Sequence, residues 1–237
     1  MRPVAIVQHE SSVPPGSIAD ALTVAGIEHY VFEAWHETQW PTPDDVSALI
    51  VLGGTMNVDE LERYPFLRTS RELMTATIER GVPTLGVCLG SQMMARILGA
   101  EVFRASPRNA LFSPLDVSDR DDPVVAPFAN GTPVLQFHED TFKVPSDAVP
   151  LATSTSSGLA QAFRYGENAY AIQFHFEVDR AIIEAWCDEI GERSLKDDWG
   201  TTKQELLAQA DRYIEHQYAA GMQLLSSFIG TTTAVRN

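Results

Sequence analysis

The chain has 237 residues, 44% of them hydrophobic and 21% charged, with 32 acidic against 17 basic side chains and a formal net charge of −15. That length suits one large α/β domain or two small ones, no apolar stretch reaches the ~18 residues of a membrane span, and so acidic a surface repels phosphate backbones, which sets nucleic acid aside as a partner. The two cysteines, Cys88 and Cys187, are too few and too far apart for a disulfide framework, and the apolar run Val4 to Val7 is too short for a signal peptide, so a reducing cytoplasm is expected.

In chain order, Val4-Ala-Ile-Val7 reads as a buried strand. Ser17 then starts a helix, "SIADALTVAG", with Asp20 three positions on as in a capping box and Gly26 as its stop. "HYVFEAW" is extended, and "ALIVLGG" (48–54) is a strand running into paired glycines. The helix "LRTSRELMTATIERG" carries Leu67, Leu73, Met74, Thr77 and Ile78 as a partial apolar stripe. Pro83 to Val87 is the next strand and "SQMMARILG" the next helix. This alternation predicts a parallel sheet covered on both faces. From 101 to 175, "EVFR", "SPLDVS", "PVLQFH", "LAQAFRYG" and "AYAIQFH" lie between turns and predict an antiparallel extension of the same sheet.

After 177 the chain is helical. Thr202 and Glu205 form a second capping-box pattern. Leu207, Ala210, Ile214, Tyr218, Gly221, Leu225 and Phe228 step by three or four, the pattern of a long helix packed on the body, although such a stripe also pairs subunits into a homodimer. The closing "TTTAVRN" is expected to fray.

Gly86-Val-Cys88-Leu-Gly90 has the G-x-nucleophile-x-G form of a nucleophile elbow, with a strand before it and a helix after. At so tight a bend the nucleophile takes a strained backbone conformation, and neighbours without side chains avoid clashes around it. The following helix directs free amides and its dipole at the sulfur, and the Leu89 amide points towards an oxyanion. The plainer reading is a buried core cysteine, but both flanking glycines and the strand–helix setting favour a nucleophile. Cys187 has no such context and reads as packing.

A thiol nucleophile needs a base, and the base an orienting group. His175 closes the strand "AYAIQFH", and Glu177 stands two positions on, on the same face of an extended chain. A carboxylate there can accept from one imidazole nitrogen while the other faces the thiol, although an incidental H-x-E at a strand end is the alternative. His29, His36 and His216 read as surface, and His9 follows the first strand, where it could border a cleft. The paired Gly53 and Gly54 offer bare backbone to a substrate carbonyl; a simple turn explains them equally well. No P-C-x-x-C follows to make H-x-E a zinc deaminase signature, no metal ligand set is visible, and no phosphate loop accompanies the glycines, so no cofactor is expected.

With Cys88, His175 and Glu177 in that order and Gly53-Gly54 upstream, the chain resembles the class I glutamine amidotransferases, especially stand-alone members similar to the glutaminase domain of GMP synthetase. The resemblance runs from about residue 3 to 190 through "LGGTMNV", "PTLGVCLGSQMMARILGAEV", "FHEDTFKVPSDAVPLATS", "QAF" and "AIQFHFEVD". It implies a Rossmann-like (flavodoxin-like) three-layer α/β domain over 1–190, with 191–237 a helical extension packed on it. By the same resemblance Cys88 attacks the carboxamide of glutamine or another γ-glutamyl compound, His175 relays protons and Glu177 orients it. Amides at Gly54 and Leu89 hold the oxyanion, and Gly53, Gln92 and His138 line the substrate site. The family's F-H-P-E reads Phe174-His-Phe-Glu177 here, and its E-I-G-W-like segment reads "RNALFS" (108–113), which leaves room for a γ-glutamyl compound other than glutamine. The S-G-G-x-D-S loop of the synthetase's ATP-pyrophosphatase domain does not occur in these residues, so ammonia is expected to pass to a separate acceptor synthetase; the alternatives are a free-standing γ-glutamyl peptidase or amidase that needs no partner and a catalytically silent binding module.

Overall fold

The computed structural model describes residues 2–36 and 38–234. Its elements in chain order are β1 (Val4–Gln8), α1 (Ser17–Val24), β2 (His29–Glu33), β3 (Ala48–Val51), α2 (Phe66–Glu79), β4 (Thr84–Val87) and α3 (Leu89–Ile97). There follow β5 (Val102–Ser113), β6 (Leu115–Val117), β7 (Val134–Phe142), β8 (Val149–Ser154), β9 (Ala160–Tyr165) and β10 (Ala169–Ile172), then α4 (Arg180–Ile190), α5 (Glu192–Trp199) and α6 (Lys203–Ala234).

The runs that read as continuous apolar strands, β1, β3, β4 and β10, are buried along their whole length, as strands covered on both faces must be. Strand alternation sorts their side chains into two cores. Val4 and Ile6 pack with Ile18 and Leu22 of α1 and Leu224, Leu225 and Phe228 of α6. Ala5 and Val7 face the other way, towards Leu67, Leu73 and Met74 of α2 and Met93 and Met94 of α3. The main sheet has the order β2-β1-β3-β4-β10-β9-β8-β6; the first five strands are parallel and the last three antiparallel. This is the mixed α/β, flavodoxin-like arrangement, and its order reverses at β1, where such sheets open a crevice at the strands' carboxyl ends.

Four expectations need correction. The segment from 101 to 175 does not all extend the main sheet: β5 and β7 leave it as an antiparallel ribbon, and β10 returns to pair parallel with β4. The ribbon's register shifts between Arg104 and Asn109, an interval containing Pro107, which has no N–H to give a ladder. Ser17 and Asp20 form no capping box. Gly16 is the N-cap, at φ 50°, and the Ser17 amide donates to the Glu177 carbonyl (2.8 Å). Tyr218 is 45% exposed; the buried stripe of α6 runs through Gln217 instead, whose Oε1 accepts from the Leu135 amide (2.7 Å). A hydrogen-bonded glutamine satisfies the stripe where apolar counting passes over it. The helix also continues to Ala234 through the first residues of "TTTAVRN"; 235–237 lie outside the described residues.

Other local signals hold. Gly26 (φ 66°) ends α1, with Gly26 N–H on Thr23 O and Ile27 N–H on Leu22 O, the paired bonds of a helix closed by glycine. Thr202 and Glu205 exchange the reciprocal bonds of a capping box at the start of α6. That helix packs on α4, α1 and β5. Among the described residues no helix is long and apolar enough to cross a membrane.

Candidate active site

The carboxyl ends of β1, β3, β4 and β10 meet at one place, and each leads into a segment of the site: Gln8-His9-Glu10, Gly53-Gly54, Cys88 and His175. Cys88 caps α3 at φ 49°, ψ −107°, the one non-glycine residue with positive φ among the described residues. Such a conformation costs about 1–3 kcal/mol and persists only where surroundings over-determine it. Here they do. The Cys88 amide donates to Ile172 O (2.8 Å), and its carbonyl accepts from Gln92 N (3.0 Å) and Ser91 Oγ (2.6 Å). A Cβ on Gly86 would lie 2.4 Å from Gly90 O, and one on Gly90 2.1 Å from Val51 O. The flanking glycines are therefore demanded by close approach of backbone on both sides of the bend.

His175 is held by its amide, which donates to Leu135 O (2.8 Å). Its Nδ1–H donates to Glu177 Oε1 (2.7 Å), both side chains being almost fully buried, and the imidazole also engages the Cys88 side chain. Burial works against the imidazolium. The Glu177 carboxylate and Cys88 outweigh it, and the His175 pKa is raised well above its ordinary 6.5. The structure thus brings Cys88, His175 and Glu177 together, with Glu177 bonded to one side of the imidazole and Cys88 beside the ring.

The turn after β3 passes directly under this line. A Cβ on Gly53 would sit 3.4 Å from both Cys88 Cβ and His175 Cε1, and one on Gly54 would meet the Leu89 side chain at 2.7 Å. The Leu89 side chain lies in the core between α2 and α3, so only its backbone is available to the bend. Gln92 Nε2 donates to Asp140 O (2.9 Å) and Gln173 Oε1 (3.2 Å). His138 Nδ1–H donates to Asp140 O (3.1 Å), and its Nε2 faces the Gln161 amide (3.3 Å), which fits a neutral ring. Burial and the neighbouring His175 pull its pKa down to about 3.

Gly54, Cys88, Gln92, His138 and His175 all line a cleft of about 500 Å³. The remaining histidines do not border it. His9 is buried on Ser70 Oγ (3.0 Å), and burial pulls its pKa down to about 4.

Sequence reasoning missed much of the rim. Glu10 grips the turn: Thr55 N–H donates to Oε1 (2.5 Å) and Thr55 Oγ1 to Oε2 (2.9 Å). Burial raises the Glu10 pKa against the opposing effect of those bonds. Arg104 and Arg108 arrive from β5, Trp186 from α4 and Trp199 from α5. A signal existed for the arginines, two cations four positions apart in a strand of a strongly acidic chain.

Residues 16–181, well over half the chain, match the family model for class-I glutamine amidotransferases. The chain belongs to that family. It is 26% identical over 196 residues to the glutamine-hydrolyzing GMP synthase of Symbiobacterium thermophilum, covering 80% of this chain but 36% of that one. It is 29% identical over 138 residues to one subunit of the glutamine-hydrolyzing GMP synthase of Natronomonas pharaonis, covering 57% of this chain and 70% of that relative. The chain therefore spans little more than a third of the first of these relatives. Among solved structures, a glutamine amidotransferase of Thermotoga maritima superposes with a TM-score of 0.85 at 26% identity, covering 97% of this chain and 99% of that one.

Proposed function

We propose that the chain hydrolyses the side-chain amide of glutamine, or a related γ-glutamyl amide, through a thioester on Cys88. The gathering of Cys88 beside an imidazole that Glu177 holds, at the ends of the parallel strands, carries this reading. His175 holds the thiol proton while the sulfur attacks the γ-carbonyl, and Glu177 keeps the ring's Nδ1–H pointed away from it. The carbonyl oxygen becomes an oxyanion beside the amides of Leu89 and Gly54, at the start of α3 and in the turn fixed by Glu10. The tetrahedral centre collapses, the C–N bond breaks, and His175 protonates the departing nitrogen. Water, deprotonated by the same imidazole, then attacks the thioester and releases glutamate and free thiol.

Gln92 and His138 border the γ-glutamyl group, the former fixed by Asp140 and Gln173. No step requires a cofactor. The relative from Natronomonas pharaonis is named as one subunit of a synthase, which supports an ammonia-accepting partner for this chain too.

The test is glutamate release from glutamine and a small γ-glutamyl panel, with Cys88→Ala as control. Turnover that vanishes in Cys88→Ala supports the proposal, and stimulation by an added synthetase supports the partner. Turnover that survives Cys88→Ala removes the thioester.

A further inference from the structure

The turn that follows β3 spends the amides at its two ends and leaves those between them open. Leu52 N–H donates to Val7 O (3.0 Å), and Thr55 N–H donates to the Glu10 carboxylate. The Gly53 and Gly54 amides have no acceptor among the described residues, although Gly53 is buried. A buried backbone N–H without a partner is rare in folded proteins. This turn passes in contact with Cys88 and His175, so the acceptor that suits its open amides is an oxygen on the carbon that Cys88 attacks.

Glycine fits this turn sterically and weakens it conformationally. A Cβ on Gly53 would lie 3.3 Å from Val13 Cγ1, and one on Gly54 2.7 Å from the Leu89 side chain, so neither position has room for a larger residue. Two successive glycines also leave the backbone unusually free to rotate, and something outside the turn has to fix its peptide planes. Glu10, two residues beyond β1, does so. Its Oε1 accepts from Thr55 N–H (2.5 Å) and its Oε2 from Thr55 Oγ1 (2.9 Å). The backbone of Glu10 is itself held, its carbonyl accepting from Gln8 Nε2–H (2.9 Å) and Val13 N–H (3.2 Å). Further along the same loop, Ser12 O accepts from Trp186 Nε1–H (2.6 Å), and the Ser17 amide donates to the Glu177 carbonyl (2.8 Å). One loop therefore ties the glycine turn to the segment that carries His175 and Glu177.

We propose that Glu10 is a positioning residue for hydrolysis: by holding Thr55 it keeps the open glycine amides where the oxyanion forms, and so it acts on the transition state rather than on substrate binding. This rests on the thioester chemistry proposed above and deepens it. The role needs the two bonds and not the negative charge. A glutamine at position 10 can accept from Thr55 N–H through Oε1 and donate from Nε2 to Thr55 Oγ1, whereas an alanine releases the turn.

The experiment measures kcat/KM for glutamine, or for the γ-glutamyl amide turned over fastest, and the Kd of the same compound on the Cys88→Ala chain. Glu10→Ala is expected to lower kcat/KM about a hundredfold, the cost of a misplaced oxyanion donor, while its addition to Cys88→Ala shifts Kd by less than about threefold. Glu10→Gln is expected to recover most of that loss, to within about fivefold of wild type, because both bonds have neutral counterparts. Thr55→Val loses only the hydroxyl bond; it should cost about three- to tenfold in the wild-type chain and nothing further in Glu10→Ala. Wild-type kcat/KM in Glu10→Ala, a Kd that weakens in step with kcat/KM, or a Glu10→Gln chain as slow as Glu10→Ala overturns the role. Should Glu10→Ala not fold, the exposed Thr55 decides: wild-type kcat/KM in Thr55→Val overturns it. If the wild-type chain turns over no compound, the hydrolytic function has failed on its own account. Glu10 is then judged by how fast a chloroketone analogue of glutamine alkylates Cys88: a rate about tenfold lower in Glu10→Ala upholds the role, and equal rates, or no labelling of the wild type, overturn it.

Discussion

Gly90 is the residue on which the bend at Cys88 depends most sharply. An alanine there would place its Cβ 2.1 Å from the Val51 carbonyl oxygen, where real Cβ atoms essentially never come closer than 3.0 Å, and both contacting atoms belong to backbone. No rotamer relieves this, so β3 and α3 must separate by about an ångström; such overpacking costs about 1–3 kcal/mol. The separation acts directly on the chemistry, since Val51 leads into Gly53-Gly54 and Gly90 follows Cys88 by two residues. A displacement of about 1 Å between reacting groups costs about a hundredfold in rate. Gly90→Ala is therefore expected to lower the melting temperature by about 2–12 °C and kcat/KM by about a hundredfold. Gly99, at the other end of the same helix, is the control. Its φ of 80° penalises a side chain, but nothing lies within 4 Å of its Cβ. Gly99→Ala is expected to cost about 1–2 kcal/mol of stability with turnover retained. Thermal unfolding and glutamate release on both variants make the comparison. Wild-type kcat/KM in a folded Gly90→Ala protein would refute the steric account of the elbow.

Glu177→Ala removes the acceptor of the 2.7 Å bond from His175, and turnover should fall about 10²–10⁴-fold, less than in Cys88→Ala. Because Glu177 holds the His175 pKa up, the alkaline limb of the pH–rate profile should also move to lower pH; an unchanged profile would take Glu177 out of the triad. Cys88→Gly relieves the positive φ of 49° that Cys88→Ala retains, so the glycine variant should be the more stable of the two by about 1 kcal/mol in denaturant unfolding, and the reverse order would show the bend to be unstrained. The pKa values of His138 and His9 are pulled below 6.5 to about 3 and about 4, chiefly by burial, so both rings take up protons on unfolding. Their contribution to stability is intact above about pH 6.5 and is lost as pH falls towards 4, by about 1.4 kcal/mol per pH unit for each ring. His175 has the opposite sign: its raised pKa adds stability below about pH 6.5 that is lost as pH climbs through the folded value. Denaturant unfolding of His138→Gln between pH 6.5 and 5 should show the dependence reduced by about one proton, and an unreduced slope would mean that His138 is charged in the folded state.

The parts of the site legible in the sequence are those imposed locally. Gly86, Cys88 and Gly90 lie within five positions because one bend needs all three, and His175 and Glu177 stand two positions apart. However, β10 ends at Ile172, and the pair follows it in an irregular segment where His175 makes an isolated bridge to Leu135 rather than closing the strand. Continuous apolar runs marked β1, β3, β4 and β10 because burial on both faces leaves no room for alternation. Features joined across the chain left no such trace. The Glu10–Thr55 grip spans 45 positions, and the aromatic side of the cleft takes Phe137 from β7, Trp186 from α4 and Trp199 from α5. The departure of β5 and β7 from the main sheet was hidden for a related reason: a strand's pattern reports which face is buried, not which neighbour it pairs with. Gln217 shows the remaining blind spot, a polar side chain that sits in a buried stripe by bonding to the backbone of Leu135.

The most direct test is to mix the protein with a γ-glutamyl substrate, quench in acid within the first turnovers, and weigh the intact chain and its peptides. The account predicts one glutamyl group on the peptide carrying Cys88, trapped in greater amount when hydroxylamine is withheld and lost on adding it. Steady substrate turnover with the Cys88 peptide unmodified, or with the added mass on Cys187, would contradict it.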